Sequence, residues 1–199
     1  MEPDMPTTPY HLPEPKHLYV YDGERLSVSE RFLILEGLDG ERRTVETYLH
    51  GNCQLMALAL SKVTGLTLGV LLQEDAFWND DGVPMMALGH AYCLLEREGE
   101  PTLALDARGF REHDEMLAEY GDQFDFFEVR GQQASDILRD WIGGGLLRGF
   151  EPFEEDALIA YAVRMQELGL MHEAPLKAEE IKRVASFEQP GQSWQSPAF

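Results

Sequence analysis

Apolar and polar positions alternate along this chain with two different periods, and the longest apolar run is neither at its start nor at its end. From Cys53 to Thr64, Leu55, Met56, Leu58, Ala59, Leu60 and Val63 cover more than one face of a helical wheel. That spacing predicts a helix lying in the middle of a domain rather than on its surface. Asn52 is suited to cap it and Gly65 to end it. Leu66 to Gln73, Leu88 to Glu96 and Thr102 to Ala107 read as strands, the last two joined around Arg97-Glu98-Gly99 as a hairpin. Between them, residues 74–86 read as a loop with an aromatic tip. Trp78 on that loop suits a substrate lid or an ordinary exposed aromatic.

Flanking this centre, His17 to Tyr21 has strand composition and stops at the turn pair Asp22-Gly23. Ser27 to Leu38 fits a short helix. Phe110, His113, Leu117 and Tyr120 mark one helical face, with His113 as a core residue, and Phe124 to Arg130 reads as a strand. Ala134, Ile137, Leu138, Trp141 and Ile142 recur at helical spacing before Gly143-Gly144-Gly145. Pro152 and Pro175 each open a further helix, to about Leu168 and Phe187 respectively.

Strands in the middle with helices before and after give an α+β order, without the steady alternation of a doubly wound sheet. Residues 1–16 carry Pro3, Pro6, Pro9, Pro13 and Pro15 and read as an extended arm. Residues 17–188 form one α+β domain, with its core in 45–130 and C-terminal helices over 133–187, and 189–199 read as a flexible tail. At 199 residues the chain suffices for one well-buried domain.

Charge narrows the partners. Sixteen Lys and Arg against 36 Asp and Glu give a formal charge of -20, which opposes both phosphate backbones and anionic membrane surfaces. A basic protein or peptide is the partner this field attracts, although such charge serves solubility equally well. No run of about 18 apolar residues spans a membrane. The acidic, proline-rich start is unlike a signal peptide, so a cytoplasmic protein, or one exported without a Sec-type signal, is expected. Two cysteines, Cys53 and Cys93, do not make a disulfide scaffold.

Each thiol is then judged by its surroundings. Cys53 falls on the first turn of its helix, where the dipole and unpaired N–H groups favour thiolate, although a cysteine also serves as core filler. His90 shares a strand face with Tyr92, while Cys93 faces the other way. With a three-residue connection at Arg97–Gly99, Glu96 pairs with Glu100 and His90 comes opposite Asp106, within reach of an Asp–His hydrogen bond. Asp106 would equally suit the turn before Arg108-Gly109. Thiol, base and a residue orienting the base make an activated nucleophile. The pairs His50/Cys53 and His90/Cys93 offer zinc-type ligands, but their strand and helix positions do not converge. Gly143–Gly145 lacks the lysine of a phosphate loop.

Gly51-Asn52-Cys53-Gln54 before an Ala/Leu-rich helix, Gly89-His90-Ala91-Tyr92, and Leu105-Asp106-Ala107-Arg108-Gly109 together resemble the papain-like and transglutaminase-like cysteine enzymes, including papain-fold domains of bacterial toxins and effectors. The resemblance covers residues 45–110. It implies a central helix carrying Cys53, packed on an antiparallel sheet that carries His90. It also implies a Cys53–His90–Asp106 triad acting without cofactor or metal on peptide or side-chain amides of a protein substrate. Where papain-type peptidases place an oxyanion-hole glutamine this chain has Thr47. The Cys53 N–H, Asn52 or His50 must then do that work, and Asn52, Gln54 and Trp78 are the candidate oxyanion and substrate residues. The rival expectation is a non-catalytic, acidic protein-binding module on the same fold, in an adaptor or toxin-neutralising role.

Overall fold

The computed structural model describes residues 19–22, 25–28, 30–37, 39–120, 125–167 and 169–171. The expected proline-rich arm, the tail and the helix from Pro175 lie outside these residues. The described part runs β1 (Tyr19–Asp22), β2 (Arg25–Val28), β3 (Leu33–Glu36), β4 (Arg42–Thr44), α1 (Val45–Leu49), α2 (Cys53–Thr64), β5 (Thr67–Trp78), β6 (Pro84–Leu95), β7 (Leu103–Asp106), β8 (Gly109–Glu112), α3 (His113–Tyr120), β9 (Phe126–Arg130), α4 (Gly131–Gly143) and α5 (Glu154–Glu167). Two two-stranded sheets, β1-β2 and β3-β4, precede a five-stranded antiparallel sheet of order β8-β7-β6-β5-β9. The fold is α+β.

α2 has the bounds its flanking residues imply. Gly65 closes it in the left-handed conformation at φ 79°, its N–H bonding the Ser61 carbonyl at 2.7 Å. Asn52 occupies the N-cap position without capping through its side chain. The helix buries residues all round, from Cys53 and Leu55 to Val63, because the sheet covers one side and α5 another. α5 is itself apolar over Ala157–Ala162 and belongs to the same core. On the opposite sheet face, Leu71, Tyr92, Leu94 and Ala104 pack with Met116 of α3.

Four expectations are corrected. The described residues within 27–38 are not a helix. They form the end of β2, a turn and β3, because Leu33–Glu36 pairs with Arg42–Thr44, a partner too distant for local periodicity to reveal. Residues 74–86 are not a loop but the outer half of the β5–β6 hairpin, with Phe77 opposite Met85 and Trp78 opposite Pro84. Asn79 closes its turn, its Oδ1 accepting the N–H groups of Asp81 (3.1 Å) and Val83 (2.8 Å). The β6–β7 connection is longer than three residues. Cys93 pairs with Leu105 and Leu95 with Leu103, so the register differs by two residues from one that sets His90 opposite Asp106.

The segment around Phe110 is also β8 before it is helix, with α3 starting at His113. No helix among the described residues is long and apolar enough to cross a membrane.

Candidate active site

β6 is the central strand of the large sheet, and it changes register beside His90. Leu71 pairs with His90 but Leu72 with Leu88, leaving Gly89 as the extra residue of a bulge. A bulge re-aims the neighbouring side chain. Gly89 is required there because any Cβ would overlap the Phe126 ring. His90 then lies against two aromatic rings, Tyr120 of α3 at 5.2 Å and Tyr92 at 5.7 Å between centroids.

α2 delivers Cys53 and the end of β7 delivers Asp106 to the same imidazole. His90 Nε2 stands 3.5 Å from Asp106 Oδ2, an ionic contact, and neither ring nitrogen has an aligned hydrogen-bond partner. Catalytic contacts of a resting site are commonly this loose. With Nε2 turned to Asp106, Nδ1 is the nitrogen left for the thiol. Cys53 is 4% exposed, Asp106 2% and His90 0%, so the constellation is closed to solvent.

Burial opposes charging of His90. Polar contact with Asp106 and Cys53, and the charge of the Asp106 carboxylate, outweigh it and raise its pKa to about 9. Burial also opposes the Asp106 carboxylate, but His90 and the Arg108 guanidinium hold it well below the usual carboxylate range. Arg108 grips Asp106 through three donors: its backbone N–H to Oδ1 (2.8 Å), Nε to Oδ1 (3.3 Å) and Nη2 to Oδ2 (2.7 Å). Behind it, Glu119 of α3 pairs with both Arg108 and Arg111. From α5, Tyr161 donates its hydroxyl to the Ala107 carbonyl at 2.5 Å and steadies the same turn. Tyr120 and Tyr161 thus build the site from outside the short motifs, and Arg108 builds it from within one of them. The apolar sweep of Ala157–Ala162 was the available signal for α5.

Cys93 is a different thiol. It is fully buried on the α2 side of the sheet, bonds the Ala57 carbonyl at 3.3 Å, and burial pushes its pKa well up. It and His90 point to opposite faces, so they cannot share an ion. Among the described residues no group of three or more His, Cys, Asp or Glu is arranged to hold a metal.

The remaining candidates separate. Asn52 Oδ1 accepts from Arg148 Nε at 3.0 Å. Gln54 is buried with one of its amide N–H groups bonded to the Arg148 carbonyl at 3.1 Å. Arg148 is in turn held by Glu154, with Nη1 and Nη2 each 2.7 Å from one carboxylate oxygen. Glu154 is itself buried and also accepts from Tyr48 (2.7 Å) and Arg43 (3.2 Å). Thr47 accepts the Thr44 N–H and serves the start of α1. His50 is exposed at that helix's end. Trp78 lies far out on the β5–β6 hairpin.

No protein-family model, curated protein or solved structure matches this chain.

Proposed function

We propose that the chain is a cysteine-dependent hydrolase or acyl transferase of the papain-like or transglutaminase-like kind, acting on peptide or side-chain amides. The observation that carries this reading is the meeting of Cys53 and Asp106 at one buried histidine, from a helix start and a strand end 53 residues apart in sequence. Buried cysteines seldom meet an ionised carboxylate–histidine pair by packing alone, because each buried charge carries a desolvation cost.

The chemistry follows from the arrangement. The Cys53 proton resides on His90 Nδ1, whose raised pKa favours holding it, and the sulfur attacks the amide carbonyl carbon, forming a C–S bond and an oxyanion. The Cys53 N–H and the Asn52 amide are the donors available to that oxyanion. His90 returns the proton to the amide nitrogen as the C–N bond breaks and the amine leaves. Water, or an amine, then attacks the thioester, gives a proton to His90 and releases the acid or new amide, restoring the thiol. Asp106 keeps the ring turned and stabilises its charged form.

Reaction with p-nitrophenyl acetate tests this, with intact mass locating the acetyl group. Wild type should acquire it on Cys53 and lose it by hydrolysis, while Cys53→Ala and His90→Ala should not. Acetylation of Cys93 alone, or none, contradicts the proposal. The burial of the site favours a second reading, a binding module on the same fold. That reading predicts no acyl enzyme and unchanged partner affinity in Cys53→Ala.

A further inference from the structure

The hairpin that carries His90 continues well past the sheet. β9 pairs with β5 only over Gly69–Gln73, and β7 pairs with β6 only over Cys93–Leu95. Residues 74–87 therefore form a two-stranded arm, its register irregular between Gln73 and Phe77. A ribbon of two strands gains little stability by itself, and this one turns large apolar groups outward. Trp78 is 67% and Phe77 48% exposed, with Val83 and Met86 also exposed. Because Phe77 faces Met85 and Trp78 faces Pro84, both faces of the arm are apolar. Clustered exposed apolar groups of this kind mark interaction surfaces, and Trp is the residue most enriched among binding hot spots.

The charges select the occupant. Residues 74–87 hold Glu74, Asp75, Asp80 and Asp81 and no Lys or Arg. Anionic membranes and nucleic acids are repelled by such an arm, and carboxylates beside the aromatics oppose insertion into lipid. Resting on the function proposed above, we infer that this arm is a docking site for a cationic amphipathic segment of the protein substrate, its apolar side on the face of Trp78, Pro84 and Met86 and its Lys or Arg on the acidic turn. Met86 is four residues from His90 on the same strand, roughly 13 Å at strand rise. The docked segment thus lies about four extended residues from the amide that is attacked.

The test measures binding of a short amphipathic Lys/Leu peptide, and of its Glu/Leu counterpart, to full-length Cys53→Ala protein. The arm predicts that the Lys/Leu peptide binds, weakens with salt, and loses at least about tenfold in affinity in Phe77→Ser/Trp78→Ser, as expected for removal of an aromatic anchor. Asp80→Lys/Asp81→Lys, which keeps the apolar groups, should weaken it too. Circular dichroism checks that both variants fold. Equal binding of the two peptides, or no loss in either variant, overturns the inference. So does a wild-type dimer in sedimentation that Phe77→Ser/Trp78→Ser abolishes, since a second copy would then be the occupant. Peptide binding lost with acylation intact condemns the arm alone; acylation lost with binding intact condemns the catalytic reading.

Discussion

His90 Nε2 and Asp106 Oδ2 approach to 3.5 Å although the two residues are diagonal, not opposite, in the sheet. Extending the β6–β7 ladder one step past Cys93–Leu105 sets Asp106 beside Tyr92, with His90 two residues further along the same face. Diagonal neighbours on one face remain within reach of long or aromatic side chains. Two features close the gap: the bulge at Gly89, and the turn in which Arg108 holds the carboxylate.

The ionic pairing gives His90 a distinctive titration. Its imidazolium should persist to about pH 9 by NMR, and the midpoint should fall toward the unperturbed value in Asp106→Asn. A raised folded-state pKa stabilises the protein fully below the unfolded value of about 6.5, and that contribution is lost as pH rises through about 9. Denaturant midpoints measured from pH 6 to 10 should therefore decline less steeply in His90→Gln than in wild type.

Much of this site can be read from sequence because parity survives a register error. A hairpin register displaced by two residues still leaves His90 and Asp106 on one face, whereas a displacement of one would separate them. α2 is legible because Asn52 and Gly65 bracket an unbroken apolar run. The segment around Leu33–Glu36 is not, because its strand partner is set by tertiary pairing. Arg148 is equally hidden: its contact to Asn52 spans 96 residues, and no local pattern announces it.

Arg148 orients Asn52, and the two reactions of Cys53 separate that role from thiol activation. Alkylation by iodoacetamide passes through no oxyanion, while acylation by p-nitrophenyl acetate does. Asn52→Ala should slow acylation by about 10²-fold, the effect of losing one oxyanion donor, and leave alkylation within a few-fold. Arg148→Met should show the same split in smaller degree, with Arg148→Lys partly restoring it. Equal loss in both reactions would assign these residues to thiol activation or folding.

Gly89→Ala probes the bulge. The added methyl meets the Phe126 ring, and overpacking of this kind costs roughly 1–3 kcal/mol. Urea unfolding should show a destabilisation of that order. Because the bulge aims His90, the imidazole titration should also shift.

The proposed catalysis requires that His90 activate Cys53. The direct measurement is the iodoacetamide rate of each cysteine at neutral pH, resolved by peptide mapping, in wild type and His90→Ala. Cys53 should react faster than Cys93, which burial keeps as thiol, and should slow by about 10²-fold without His90 to hold its proton, the size of an acid–base effect. A Cys53 that is inert in the folded protein, or that reacts at the same rate in His90→Ala, would contradict it.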